Sequence, residues 1–180
     1  MLSLEQGTKL VKLARQAISS YISKKELKIS NTSAIKAALR RFSEELQRRK
    51  QKREEKVLQL LKRSSIAIYD RKSVMITNRE METKNGMKVD LLGKFVYLMD
   101  KSDVPERVSA LVKHDNCTMA VIHSPEDLEA TPGVVAFLTA LLAEQNINII
   151  EFISCWTETI IVVEKKDNLK AYEVLSNMVG

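Results

Sequence analysis

The stretch Thr131-Pro132-Gly133-Val134 opens an apolar run, and its residue types suit the binding of an anion. Proline is tolerated in the first turn of a helix because its missing N–H has no helical partner there. Gly133 lacks a side chain, so a ligand or a second chain can approach the backbone closely. The free N–H groups of a helix start attract a carboxylate. The stretch therefore predicts either a carboxylate site or simply a well-marked helix start.

The same run ends on Asn146-Ile147-Asn148, and a second apolar run follows directly. Asparagine is common where the chain turns from a helix into a strand, because its side chain bonds the nearby backbone and it tolerates left-handed conformations. We therefore expect one helix between the two motifs and a strand after the second.

Cysteine and histidine are too few and too scattered to predict catalysis or metal binding. The chain has two of each, Cys117, Cys155, His114 and His123, and none of their spacings matches a metal site or a disulfide framework. The sequence predicts no enzyme, no metal and no cofactor. No apolar run approaches the ~20 residues of a membrane span. Without an apolar signal core near the N-terminus, we expect a cytoplasmic protein.

Charge divides the chain into two parts. Residues 1–63 hold 17 Lys and Arg against 6 Asp and Glu, whereas residues 64–180 hold 12 against 17. Such a division indicates a basic module joined to an acidic one, and a basic module is a candidate for nucleic-acid binding. A well-solvated helical surface explains the same charge.

The sequence of the basic module predicts helices. No Gly or Pro lies between Gly7 and Gly86, and apolar residues recur at helical spacing over 8–23 and 31–46. The segment 47–56 has no apolar residue, so it is a solvated helix or a linker, continuous with its neighbours or kinked.

Two β-rich runs, Ile66–Tyr69 and Ser73–Thr77, flank Asp70-Arg71 and predict a hairpin. Helices followed by a hairpin resemble a winged helix-turn-helix, in which a basic helix enters the major groove and the wing contacts the backbone. The helix 31–46 would then read DNA. Its candidate contact residues are Asn31, Thr32, Lys36, Arg40 and Arg41. The alternative is a helical arm that dimerises or packs on another protein.

Between the modules, residues 78–94 predict a loop, 95–99 a buried strand, and 104–114 a short helix with Pro105 in its first turn. From Cys117 onward the predicted order is strand, helix, strand, strand, helix. This order predicts an α+β sandwich of ferredoxin type, βαββαβ, with both helices on one face of an antiparallel sheet. The final strand is missing, and either segment 66–77 or segment 95–99, of the same chain or of a partner, could supply it.

This C-terminal region resembles the ACT domain, and most closely the regulatory ACT domains of aspartokinases. The resemblance rests on "MAVIHS", "TPGV", an apolar helix, "NINII" and "ISCWTETIIVVEKKD", in that order over residues 117–179. It implies that an amino-acid effector binds between the strand-to-helix loop of one domain and the strand of a neighbour. Carried over by motif, the implied ligand residues are Thr131, Gly133, Val134, Asn148, Ile149 and Glu158. Trp156 is bulky where the family usually has small residues, so it fills the pocket or lines it.

We therefore expect residues 1–63 to form a basic module resembling a helix-turn-helix. Residues 64–116 would hold the hairpin, a connector and a degenerate second ACT-like half, and residues 117–180 the ACT domain. The expected protein is a homodimeric, amino-acid-responsive regulator that binds DNA and no membrane. The alternative is an allosteric or scaffolding subunit that does not bind DNA and docks its helical arm on an enzyme of amino-acid metabolism.

Overall fold

The computed structural model describes residues 32–180 apart from residue 84, and side chains from residue 36 onward. The chain divides into two compact units, residues 1–52 and 53–180. The helix predicted at 8–23 and the candidate contact residue Asn31 lie outside the described residues.

The first described element is a single helix, α1, Thr32–Leu61. It continues through residues 47–56, so this polar segment is helix and not a linker. Its 30 residues span about 45 Å. Side chains three and four residues apart pair along it: Arg40 with Glu44 at 2.8 Å, and Glu45 with Arg48 at 2.6 Å and Arg49 at 2.9 Å. Such pairs, together with the absence of Gly and Pro, favour helix even through the segment 47–56, which has no apolar residue.

Six strands form one antiparallel sheet with the order β2-β3-β1-β4-β6-β5. Helix α2 lies between the fourth and fifth strands, and helix α3 follows the sixth. The elements are β1 Ser65–Thr77, β2 Met87–Asp90, β3 Phe95–Asp100, β4 Val112–His123, α2 Val134–Glu144, β5 Ile149–Cys155, β6 Glu158–Val163 and α3 Asn168–Ser176.

Strand β1 takes the place of the missing final strand. The run β4-α2-β5-β6-α3 is the predicted βαββα unit, and β1 pairs antiparallel with the free side of β4. The register sets Ile66 opposite Ile122 and Ile68 opposite Ala120. Of the two segments that could supply this strand, 66–77 does so, and β3 and β2 extend the sheet beyond it.

The hairpin predicted at 66–77 is wrong, because its two halves form one strand with a bulge. The register shifts between Tyr69 and Lys72, and Arg71 adopts a left-handed φ of 57°. Asp70 accepts a 2.6 Å hydrogen bond from Thr118 Oγ1 and pairs with Lys165 Nζ. These contacts hold the pKa of Asp70 below its usual value, Lys165 contributing more than Thr118. The wing of the proposed winged helix-turn-helix is therefore absent.

The helix predicted over 104–114 is also wrong. A 3₁₀ turn at Lys101–Asp103 precedes these residues, which form a loop and, from Val112, the start of β4. Val104 and Val108 instead pack against the buried side chains of Met75, Tyr97 and Met99. Tertiary packing has overridden the helical spacing here. The connector 78–94 contains β2, which the sequence did not predict.

The main core lies between the sheet and the helices. Helix α2, helix α3 and the last turns of α1 all contribute to it, which confirms an α+β fold with helices on one face. Its buried members include Val57, Leu60, Leu61, Ile122, Leu138, Leu142, Ile161 and Leu175. Lys170 of α3 donates a 2.6 Å hydrogen bond to the carbonyl of Gln145, just beyond the end of α2. A second apolar cluster, Val74, Val96, Leu98, Cys117 and Val162, lies on the opposite face of the sheet.

We predict that Leu61→Ala lowers the free energy of unfolding by about 2–5 kcal/mol, because Leu61 is fully buried and its truncation leaves a cavity. Leu46→Ala on the same helix is the matched control, since Leu46 is about half exposed, and it should change stability far less. Urea unfolding of both variants measures the difference. Equal losses would show that the end of α1 does not belong to the core.

Candidate ligand-binding site

A cavity of about 610 Å³ opens at the start of α2. The loop before α2, the first turn of α2, and the end of β5 with the turn after it form its walls. The lining residues are Leu128, Glu129, Thr131, Gly133, Val134, Val135, Ala136, Ser154 and Trp156. The structure thus brings together three of the predicted ligand residues, Thr131, Gly133 and Val134.

The helix start offers open space beside a turn whose backbone N–H groups lack helical acceptors. Gly133 precedes α2 with a left-handed φ of 99°, a conformation in which any side chain is strained. A Cβ built at Gly133 would meet no atom within 4 Å, so the space beside its backbone is open. The first N–H groups of a helix have no intrahelical acceptor, and all three residues of this first turn, Val134–Ala136, line the cavity. Pro132 lies before the helix, and not in its first turn as predicted.

The loop before α2 supplies the polar wall. Thr131 Oγ1 donates a 2.6 Å hydrogen bond to the carbonyl of Asp127, so its oxygen remains available as an acceptor. The carboxylate of Glu129 is the one charged side chain in the lining. This wall suits the ammonium group of a ligand, and the helix start suits a carboxylate.

Trp156 forms the wall opposite the helix start. It connects β5 to β6 with a left-handed φ of 50°, which costs a bulky residue on the order of 1 kcal/mol. Its side chain is 58% exposed and lines the cavity together with Ser154. The indole therefore lines the cavity and does not fill it.

Asn148 and Ile149 lie at the other end of α2, since 11 residues of helix separate the two ends by about 16 Å. The structure does not bring them to the cavity within one chain. Glu158 also lies apart from the cavity. Its Oε2 contacts His123 Nδ1 at 2.6 Å, and it lies on the same face of β6 as Ile160, opposite the helices.

The predicted nucleic-acid residues lie on the first half of α1. Thr32 is its first residue, and Lys36, Arg40 and Arg41 are exposed. Arg40 is paired with Glu44. An exposed apolar stripe, Leu39, Phe42 and Leu46, accompanies them, with Phe42 62% exposed.

Six lining residues were not among the predicted ligand residues, although Trp156 was expected to fill or line the pocket: Leu128, Glu129, Val135, Ala136, Ser154 and Trp156. Glu129 had a signal, because an acidic loop before the helix can attract an amino group. Ser154 enters through the pairing of β5 with β6, which local sequence does not reveal. A second, open cavity of about 970 Å³ is lined by Glu80, Met81, Glu82, Thr83 and Lys88 and contains none of the predicted residues.

Within residues 32–180, no cluster of His, Cys, Asp and Glu has the composition and geometry of a metal site. Over the same described part of the chain, no helix is long and apolar enough to cross a membrane.

The family model of the ACT domain matches residues 104–177, which contain β4 through α3. This is a match to part of the chain, and the residues that line the cavity lie within it. No curated protein matches the chain in sequence.

Solved structures share the fold at low sequence identity. The aspartate kinase of Clostridium acetobutylicum has a TM-score of 0.53 and 13% identity, over 64% of this chain and 35% of that one. A protein of Agrobacterium tumefaciens has a TM-score of 0.50 and 14% identity, over 63% of this chain and 88% of that one. The ligand-free regulatory subunit of aspartate kinase from Thermus thermophilus has a TM-score of 0.50 and 10% identity, over 64% of this chain and 96% of that one. The chain aligns with only about a third of the Clostridium kinase.

We predict that thiol reagents modify Cys155 and not Cys117 in the folded protein. Cys155 is exposed beside Trp156, whereas burial raises the pKa of the Cys117 thiol to about 11, with smaller contributions from Glu164 and Asp115. Mass spectrometry after alkylation at pH 8 should find the label on Cys155 alone, and on both cysteines in urea. The variant Cys155→Ser should stay unlabelled until it unfolds; rapid labelling of its Cys117 would contradict the burial.

Proposed function

We propose that this chain, whose residues 104–177 form an ACT domain, is an amino-acid-responsive regulatory protein without catalytic activity of its own. The observation that carries the proposal is the cavity at the start of α2, which gathers Thr131, Gly133 and Val134 with Trp156. The aspartate-kinase regulatory subunit among its structural neighbours supports the regulatory role.

The chemistry of the walls assigns each end of the ligand. The N–H groups of the first turn of α2 bind the α-carboxylate, since the lining residues that the structure describes include no basic side chain. Glu129 and the hydroxyl oxygen of Thr131 accept hydrogen bonds from the ammonium group. Leu128 and Trp156 contact the ligand's side chain. The volume of about 610 Å³ is ample for one amino acid.

A homodimer would complete this site. Strand β5 is an edge of the sheet, with apolar, half-buried residues and no Lys or Pro to block pairing. Two copies of β5 can pair antiparallel about a two-fold axis, which extends both sheets into one. We therefore assign β5 as the dimer edge.

The position of the axis explains the two predicted residues that lie far from the cavity. Phe152 is the middle residue of β5, so an axis at Phe152 sets Ile149 of one chain opposite Cys155 of the other. The next positions outward are Asn148 of one chain and Trp156 of the other. Asn148 and Ile149 of each chain would thus lie at the cavity of its neighbour, between domains, as the resemblance implies.

DNA binding is the proposed output. Lys36, Arg40 and Arg41 are exposed on α1, which begins at Thr32. Effector binding would alter DNA affinity only if the ligand prefers one of two arrangements of the dimer.

One observation favours a second output, the docking of α1 on an enzyme of amino-acid metabolism. Leu39, Phe42 and Leu46 form a partly exposed apolar stripe, and ion pairs with Glu44 and Glu45 offset part of the neighbouring positive charge. Such a stripe suits a protein groove better than a phosphate backbone.

Intrinsic fluorescence tests the effector site directly, because Trp156 is the single tryptophan of the chain. We predict that one of the twenty amino acids, titrated at millimolar concentration, changes its emission saturably. The same ligand at ~100 times its dissociation constant should add about 2.7 kcal/mol to stability. Gly133→Ala should abolish the response. Leu169→Ala, on the exposed outer surface of α3, is the control and should leave it intact. No response to any amino acid would reject the proposed effector class.

Glu151 provides a two-sided test of the dimer edge. Burial raises the pKa of its carboxyl, and His114 partly opposes the shift. Pairing would bury Glu151 further, so we predict that the dimer weakens as pH rises through this pKa. Glu151→Gln should strengthen association at pH 7, and Ile153→Lys should weaken it. Analytical ultracentrifugation at several pH values measures both. A monomer that neither variant changes would reject β5 as the edge.

The salt dependence of binding distinguishes DNA binding from docking on a protein. DNA affinity should fall steeply between 50 and 200 mM salt, because counterions are released. Replacing Lys36 and Arg41 with Ala should reduce the slope of log K against log salt by about 2. Phe42→Ser should leave DNA affinity unchanged. If the protein does not bind DNA, or if Phe42→Ser lowers DNA affinity and the Lys36 and Arg41 substitutions do not, the result favours protein docking over DNA binding.

A further inference from the structure

The loop of residues 124–131, here named the coupling loop, contacts both the candidate cavity and the end of α1. We propose that it transmits the state of the cavity to α1, and that Asp127 is its central residue. This inference rests on the proposed function for its regulatory meaning. Its physical content, coupling between two sites of residues 53–180, stands independently.

One side of the coupling loop is a wall of the cavity. Leu128, Glu129 and Thr131 line the space, and Thr131 N donates a 3.0 Å hydrogen bond to the carbonyl of Leu128. The hydroxyl of Thr131 donates to the carbonyl of Asp127 at 2.6 Å. A ligand that moves Thr131 therefore moves the backbone of Asp127.

The other side of the coupling loop holds the residues that end α1. Arg63 Nη2 donates to Asp127 Oδ2 at 2.6 Å. The buried hydroxyl of Ser64 donates to the carbonyl of Leu60 at 3.1 Å and lies 2.9 Å from Ser124 Oγ, which can donate to it in turn. Arg63 and Ser64 continue the last turn of α1, because their N–H groups donate to the carbonyls of Leu60 and Leu61 at 2.9 Å.

Asp127 joins the two sides, since its carbonyl holds the cavity residue Thr131 and its carboxylate holds Arg63. Packing reinforces the link: Leu128 is buried in the same core cluster as Leu60 and Leu61. A close-packed cluster transmits a displacement because it has little empty space to absorb it. From Leu61 the helix α1 continues unbroken to Thr32, so the same element carries the basic residues proposed to bind DNA.

The ion pair is suited to a switch because it adds little to stability. Arg63 and Asp127 are both more than half exposed, and exposed pairs contribute weakly to folding. Removing the pair should therefore leave the fold intact and change only the coupling. The pair of Lys72 with Asp100, at 2.7 Å and away from the coupling loop, is the control; its lysine is 16% exposed, so this pair is the more buried of the two.

The test uses the ligand-free full chain and reads each substitution on the far side of the coupling loop. Arg63→Ala and Asp127→Asn should each increase acrylamide quenching of Trp156, across the cavity. Thr131→Val should make amide exchange of residues 57–64 severalfold faster, at the end of α1. Lys72→Ala should change neither reading, and near-equal melting temperatures would show that global unfolding is not the cause.

The coupling is overturned if Arg63→Ala and Asp127→Asn quench like Lys72→Ala, or if Thr131→Val leaves exchange at residues 57–64 unchanged. Neither reading requires an effector. A failed coupling is therefore distinct from a failed effector site, which the amino-acid titration reports separately.

Discussion

The structure depends on one constraint, which is that a βαββα unit leaves the free side of its first strand without a partner. Strand β1 meets this need by pairing with β4 from Ser65 to Ile76. The position of β1 fixes where residues 53–64 lie, because only three residues separate β1 from the end of α1. The last turns of α1 consequently enter the core, and Arg63 and Ser64 reach the coupling loop.

Local sequence was sufficient for the C-terminal third, where periodicity and turn residues coincide. Thr131–Val134, Asn146 and the apolar runs of β5 and β6 each carry their own signal. It failed where distant residues decide the conformation. Asp70-Arg71 resembles a turn, but Thr118 and Lys165 hold Asp70 within a continuous strand. Residues 104–111 have helical spacing, but their valines pack against β1 and β3.

The candidate site divides in the same way. Its helix start was predictable, because the chemistry of Thr131, Gly133 and the free N–H groups lies within four consecutive residues. Its other wall was predictable only in part: the resemblance pointed to Trp156 as filling or lining the pocket, but Ser154 reaches the cavity through the pairing of β5 with β6. Asn148 and Ile149 are a third case: their motif is clear, but α2 separates them from the cavity of their own chain.

The position of β1 also bears on how the chain folds. A ribosome releases β1 well before β4, so Ile66 and Ile68 must stay unpaired until Ile122 and Ala120 have been made. Contacts this distant in sequence slow folding, since loop closure precedes any gain from pairing. Until then the nascent chain exposes an apolar strand without its neighbours, which is the kind of segment that aggregates or recruits a chaperone. Helix α1 is synthesised before the sheet, and its ion pairs between residues three and four apart are local, so helix can form while the sheet that will hold its end is still being synthesised.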